Sequence, residues 1–150
     1  MPVHRYAPLL CAAFFLLFVI AATQTFAGEQ LNADQPLAGT KSGDAKAGKN
    51  VFIHRKKGNC LACHVVTSLD YILFHGEVGP PLDGVGSNLS EAEIRLQVMD
   101  PRINNPDTIM PPYHRTEGLN RVLVKYKDKT ILSAQQVEDI VAYLKTLKDE

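Results

Sequence analysis

Cys60-Leu61-Ala62-Cys63-His64 is the stretch of this sequence that decides its fold. It places two thiols one helical turn apart and an imidazole directly after the second thiol. The chain has only three cysteines and five histidines in 150 residues. At that composition about 0.002 occurrences of the pattern are expected by chance. The stretch therefore indicates a chemical role rather than a coincidence.

The spacing of this motif is typical of covalent attachment of a c-type haem. Each thiol can add to one vinyl group of the porphyrin, and the next imidazole then lies under the iron as an axial ligand. We therefore expect Cys60 and Cys63 to bind one haem c covalently and His64 to ligate its iron. A loop-rich chain also needs such an apolar group to complete its core.

Three other interpretations of the cysteine pair fit less well. A thioredoxin-like dithiol belongs at a helix start after a strand, in a βαβ pattern, whereas the segment before Cys60 is predicted to be helical. A zinc site needs a fourth ligand, and the adjacent Cys63 and His64 are awkward neighbours on one small ion. An inert disulfide leaves His64 unexplained.

The sixth ligand of the iron decides what the haem does. A methionine gives a closed, electron-transferring haem with a raised potential, whereas an open position permits oxygen or peroxide chemistry. Met99 lies on a predicted helix, where packing is the usual role of a methionine. Met110 precedes Pro111-Pro112, which keep its backbone extended and stiffen the loop. We expect Met110 to be the ligand, with Met99 and His114 as alternatives.

The stretch Gly79-Pro80-Pro81-Leu82 is expected to support the haem. The carbonyl of Pro80 is placed to accept the second ring N–H of His64, which fixes the orientation and basicity of the ring. Leu82 is expected to pack on the haem face. The simpler alternative is an ordinary loop punctuated by prolines. No residue of this chain is predicted to be catalytic.

The charge balance and the first residues restrict the partners and the compartment. Sixteen basic residues match sixteen acidic ones, so the chain lacks the basic field that nucleic-acid binding needs.

A basic start, an apolar run over 9–22 and Thr25-Phe26-Ala27 indicate a cleaved signal peptide over residues 1–27. The run of about 14 residues is shorter than the roughly 20 that span a membrane. We expect a periplasmic protein without stable membrane insertion after cleavage.

The rest of the chain is predicted to form one mainly α domain with long loops. Residues 28–43 are polar and aperiodic, which indicates a leader segment outside the core or along its surface. The folded domain is expected over residues 44–150. Residues 65–89 contain too many glycines and prolines for a long regular element, and residues 121–132 could form a strand or a short helix.

Helix boundaries follow from capping patterns and apolar spacing. Asp44 is placed to cap a helix that continues to Arg55. Serine with glutamate or glutamine three residues later begins two further helices, predicted over 90–99 and from Ser133 to near Lys148.

Together these features resemble a class I cytochrome c over most of residues 44–148. The resemblance rests on Gly48, Phe52, Cys60, Cys63, His64, the stretch 79–82, Met110 before proline and Tyr143 in the last helix. It implies helices packed around one covalently attached haem. It also implies that the first and last helices cross where Gly48 meets Tyr143.

A narrower resemblance is to the SoxX family, the monohaem cytochrome subunits of the SoxAX complex of periplasmic sulfur oxidation. It rests on segments within 58–64, 79–82, 105–113, 118–122 and 131–144. It implies a heterodimer with a SoxA-like dihaem or monohaem subunit that carries the cysteine receiving thiosulfate. The complex, an L-cysteine S-thiosulfotransferase, would join thiosulfate to a SoxYZ-like carrier, and its electrons would pass to a downstream acceptor cytochrome.

Two other functions stay open at this point. The chain could be a free-standing electron shuttle, or a haem sensor or peroxidase with a labile sixth ligand. Two basic clusters, His54 to Lys57 and Lys125 to Lys129, could orient docking, although a solvated charged surface is the simpler interpretation.

Overall fold

The computed structural model describes residues 32–149 of the chain. The predicted signal peptide, residues 1–27, lies outside these residues, as does the start of the predicted leader. Within the described part the regular elements are all helical and there is no strand, which confirms the mainly α class. No helix of residues 32–149 has the length and apolar character needed to cross a membrane.

Four α-helices and four short 3-10 helices make up the regular structure of residues 32–149. The α-helices are α1 (Ala45–Ile53), α2 (Val85–Asn88), α3 (Glu91–Met99) and α4 (Ala134–Leu144). The 3-10 helices are Cys60–Ala62, Thr67–Leu69, Pro101–Ile103 and Val124–Tyr126.

The helices α1, α3 and α4 begin at the predicted caps. The Asp44 carboxylate accepts from the amides of Lys46 and Ala47 in the first turn of α1. Ser90 and Glu93 form a capping box at the start of α3, and Ser133 and Gln136 form another at the start of α4. Each box satisfies two amides that have no partner within the helix. The three predicted helix starts are confirmed.

The helix α1 crosses α4 at Gly48. A Cβ atom at Gly48 would lie 1.9 Å from the carbonyl oxygen of Asp139, so only glycine permits this backbone contact. One turn further along, the rings of Phe52 and Tyr143 meet edge to face with centroids 5.3 Å apart. The expected crossing of the first and last helices at Gly48 is confirmed. The atoms of α4 nearest to a Cβ at Gly48 are backbone atoms of Asp139 and Ile140, and this close approach brings the two aromatic rings together.

A buried ion pair joins α3 to α4. The Arg95 side chain is 2% exposed, and its guanidinium donates to both oxygens of Glu138 at 2.8 and 2.9 Å. The same guanidinium donates to the carbonyl of Ala33 at 2.7 Å, and the amide of Leu37 donates to Glu138 at 3.0 Å. The described part of the predicted leader therefore lies along α3 and α4.

The last helix ends at Leu144, before the predicted end near Lys148. The Leu147 carbonyl accepts from the amide of Gly86 at 2.7 Å, and this turns the chain toward α2. The Lys145 ammonium donates to the carbonyls of Gly86 and Leu89 at 2.7 and 2.8 Å. Contacts with the α2 region therefore end the helix earlier than the apolar spacing predicts.

The two loop regions are mainly irregular. Residues 65–89 contain only the turn at Thr67–Leu69 and α2, which agrees with their many glycines and prolines. Residues 121–132 form a single 3-10 turn at Val124–Tyr126 rather than a strand. Arg121 and Asp128 have left-handed φ angles of 55° and 56°, which interrupt both helical and extended backbone.

We expect Glu138→Gln to lower the free energy of unfolding by about 3–5 kcal/mol, because it removes the buried counter-charge of the Arg95 cation and leaves only a solvent-exposed carboxylate near it. Chemical denaturation of the full chain measures this loss. The matched control is Glu91→Gln: Glu91 lies 3.9 Å from Arg95 but is 65% exposed. Its loss should change stability by no more than about 0.5 kcal/mol. Equal effects of the two substitutions would contradict the role given to the buried pair.

Candidate haem site

A cavity of about 610 Å³ lies among α1, α3, α4 and the loops near Cys60 and Met110. Its wall is mainly apolar, and the helices contribute Phe52, Ile94, Val98, Ile140 and Leu144. This volume falls within the roughly 300–1,000 Å³ that is typical of small-molecule and cofactor sites. The fold therefore leaves space for one sizeable apolar group at its centre.

Both predicted haem-binding cysteines and His64 line this cavity. Cys60 begins the 3-10 turn, and its carbonyl accepts from the amides of Cys63 and His64 at 3.0 Å each. The turn thereby brings two thiols and one imidazole to the same cavity wall. Both thiols are free. Across residues 32–149 no cluster of three or more histidine, cysteine or acidic side chains could hold a bare metal ion.

The surroundings of Cys60 do not suit a redox-active dithiol. Burial raises the pKa of the Cys60 thiol to about 12, although a hydrogen bond to its own backbone acts in the opposite direction. The reactive thiol of a thioredoxin-like site has a lowered pKa, because the thiolate is the nucleophile. The environment of Cys60 therefore does not favour the thioredoxin-like interpretation.

The imidazole of His64 is held in place by the stretch Gly79-Pro80-Pro81-Leu82. Its Nδ1 lies 2.8 Å from the Pro80 carbonyl oxygen. Because a carbonyl oxygen only accepts, Nδ1 carries the proton and Nε2 keeps a lone pair for ligation. A Cβ atom at Gly79 would lie 2.4 Å from the ring, so glycine is required at this position. Leu82 lines the cavity as well.

Of the three candidate sixth ligands, only Met110 belongs to the cavity wall. Met99 is buried in the hydrophobic core formed by α3 and its neighbours, where it has a packing role. The Nδ1 atom of His114 lies 3.0 Å from the Leu132 carbonyl oxygen, and His114 does not line the cavity. The arrangement therefore favours Met110 over both alternatives.

Backbone hydrogen bonds attach the Met110 loop to the end of α3. The amide of Tyr113 donates to the Val98 carbonyl at 3.3 Å, and the amide of His114 donates to the Met99 carbonyl at 3.1 Å. The Tyr113 hydroxyl donates to the Gly58 carbonyl at 2.8 Å, which connects this loop to the residues just before the cysteine motif. Burial raises the pKa of Tyr113 further above its usual range, so the hydroxyl remains a donor at neutral pH.

Sequence reasoning missed Gln97, which contacts the sulfur of Met110. The Gln97 amide nitrogen lies 3.7 Å from the Met110 Sδ, and its carbonyl accepts from the Asn104 amide at 3.3 Å. Ile94, Gln97 and Val98 all line the cavity. The sequence did contain a signal for Gln97. It is a polar residue three positions after Ile94, which places both residues on the same face of α3.

Asp100 is a second residue that the sequence did not reveal. Its carboxylate is completely buried and pairs with the guanidinium groups of Arg102 and Arg115. Burial alone would raise the pKa of Asp100, but the hydrogen bonds from the two arginines outweigh it and the pKa is lowered. Because Arg115 follows Met110 by five residues, this cluster fixes the far end of the loop that carries Met110.

These residues fit a covalently bound haem. Two thiols in one turn, an imidazole with a free Nε2 and a thioether all border a single apolar cavity. Cys60 and Cys63 would hold the porphyrin, and His64 and Met110 would ligate its iron. Pro80 orients His64, and Gln97 contacts the sulfur of Met110.

Comparison with known proteins agrees with this arrangement. The family model for cytochrome c matches residues 45–148. Among solved structures, the crystal structure of SoxXA from P. pantotrophus is similar with a TM-score of 0.70 and 34% sequence identity. The match covers 77% of this chain and 88% of that chain. The comparison with curated proteins gave no match.

We expect Met110→Ala to remove the near-infrared band that ferric haem shows with thioether ligation, and to lower the reduction potential. The haem should stay attached, because the substitution leaves both cysteines in place. Absorption spectroscopy and redox titration of the purified protein measure these effects. The matched control is Met99→Leu, which changes a core methionine outside the cavity wall and should keep the band. Loss of the band in the control alone would assign the ligand to Met99.

Proposed function

Because this chain belongs to the cytochrome c family, we propose that it is a periplasmic electron-transfer cytochrome of the SoxX type. In this proposal it forms a heterodimer with a SoxA-type subunit. The complex oxidatively joins thiosulfate to the carrier cysteine of a SoxYZ-type protein. The complex is the enzyme, a thiosulfotransferase, and the isolated chain is an electron carrier.

The observation that carries electron transfer is the single cavity shared by Cys60, Cys63, His64 and Met110. A haem held by these residues supplies one-electron redox chemistry, with a potential raised by thioether ligation. The chain's contribution is to hold the imidazole against Pro80 and to present the Met110 sulfur from a loop anchored on α3. A sulfur held in this way excludes external ligands, which favours electron transfer over a sensor or a peroxidase.

The choice of the SoxX type rests on the similarity to SoxXA and on the cysteines. The sequence has three cysteines, and Cys11 falls in the predicted signal peptide. With Cys60 and Cys63 committed to haem, no cysteine of the mature chain is left to receive thiosulfate. The covalent step then belongs to the partner subunit, and this chain takes part in removing the electrons.

The electron balance explains why further redox partners are needed. Joining thiosulfate to a thiol forms one sulfur–sulfur bond and releases two electrons. One haem accepts one electron at a time, so turnover requires a second centre in the partner or rapid transfer to an acceptor. The proposal therefore includes a downstream acceptor cytochrome.

Export to the periplasm is part of the same proposal. It is supported by the basic start, the apolar run and the small-residue site within residues 1–27. Outside the cytoplasm the Cys60 and Cys63 thiols would otherwise tend to oxidise to a disulfide, and covalent attachment of haem prevents this.

Co-purification from the native periplasm tests the proposed function. We expect the full chain to co-purify with a second, haem-bearing subunit. The pair should reduce an acceptor cytochrome when both thiosulfate and a SoxYZ-type carrier are supplied. The control is the same carrier with its cysteine replaced by serine, which should give no reduction.

Two results would contradict the proposal and point to the other functions. A haem-loaded chain that is always isolated alone would be a free-standing shuttle. A wild-type ferrous protein that binds carbon monoxide at neutral pH would have a labile sixth ligand, as a sensor or peroxidase does.

A further inference from the structure

Residues 71–74 expose three large apolar side chains, those of Tyr71, Leu73 and Phe74. These side chains, the apolar patch, are between 67% and 77% exposed. Single exposed apolar residues are common, but a cluster of this kind on a soluble protein marks a surface for interaction.

The backbone beneath the apolar patch is held in place. The amide of Gly76 donates to the Leu61 carbonyl and the amide of Gly79 donates to the Cys63 carbonyl, both at 2.8 Å. Phe74 has a left-handed φ of 71°, which is unfavourable for a bulky residue. A strained backbone that carries an exposed ring fits a surface that is completed by another molecule.

A second cavity lies next to the apolar patch, with a volume of about 340 Å³. Leu73 and Phe74 line it together with Leu61 and Ala62, the two residues between the cysteines. Asn59 lines both this cavity and the central one. A side chain seated in the second cavity would therefore touch the same turn that carries the haem-binding thiols.

Two cations border the apolar patch. The Arg55 guanidinium lies 5.5 Å from the centroid of the Phe74 ring, and the Lys49 ammonium lies 5.8 Å from that of Tyr71. At these distances each cation is attracted by the face of the ring. The apolar surface therefore has a basic border.

The flanking sequence adds to this positive charge. Lys56 and Lys57 follow Arg55 in the sequence, and the carboxylates nearest to the patch in the sequence are Asp70 and Glu77. Four cations against two carboxylates favour a partner surface that is acidic around an apolar centre. Two copies of this chain meeting patch to patch would bring their basic borders together, which disfavours self-association.

We propose that the apolar patch and the second cavity form the surface on which the SoxA-type partner subunit docks. An apolar side chain of the partner fills the cavity, and its neighbouring carboxylates face Lys49 and Arg55. This inference rests on the proposed function, and it places the partner against the turn between the haem-binding cysteines.

Binding of the haem-loaded full chain to the SoxA-type subunit, measured by titration calorimetry, tests the surface. Leu73→Asp puts a charge into the apolar centre, and Arg55→Glu reverses the border. We expect each to weaken binding by about tenfold or more. The matched control is Val124→Asp, because Val124 is 90% exposed and lines neither cavity. The control should bind like the wild type, and all three variants should keep the wild-type haem spectrum.

The outcomes separate this inference from the proposed function. If the wild type binds the subunit and both patch variants bind equally well, the surface is wrong and the proposed function stands. If the wild type does not bind the subunit at all, both are wrong. If Leu73→Asp abolishes self-association and leaves binding to the subunit unchanged, the patch is an interface between copies of this chain and the inference fails.

Discussion

The helices of this protein surround a cavity that their own side chains do not fill. The cavity of about 610 Å³ has a mainly apolar wall and opens to solvent. Without a group in it, this apolar surface would stay in contact with water, which is unfavourable. A covalently attached apolar group in this space would convert the cavity wall into core. If Cys60 and Cys63 hold such a group, they contribute to the stability of the fold as well as to its chemistry.

The helix α3 connects the site to the rest of the fold. Its residues Ile94, Gln97 and Val98 face the cavity, and the carbonyls of Val98 and Met99 hold the loop that carries Met110. On another face, Arg95 joins α3 to α4 through a buried ion pair with Glu138. A change in the position of α3 would therefore move the Met110 sulfur, which connects the buried ion pair to the candidate haem site.

The sequence predicted the parts of the site that depend on local chemistry. The cysteine spacing, the prolines after Met110 and the stretch around Pro80 each act over a few residues, so their roles could be inferred without coordinates. The same holds for Asp44, Ser90 and Ser133, because a cap contacts only the turn that follows it.

The features that sequence reasoning missed depend on contacts between distant segments. Arg95 and Glu138 are 43 residues apart in the chain, and nothing in either helix pattern pairs them. The end of α4 is set by hydrogen bonds to Gly86, and Gly48 closely approaches the backbone carbonyl of Asp139. Such positions follow from packing geometry, which a single sequence does not contain.

The intact mass of the exported, acid-denatured protein tests the central claim most directly. Non-covalent cofactors dissociate under these conditions, whereas thioether links survive. The account predicts a coloured polypeptide whose mass exceeds that of the mature chain by one haem. A colourless polypeptide with the mass of its amino acids alone would contradict it.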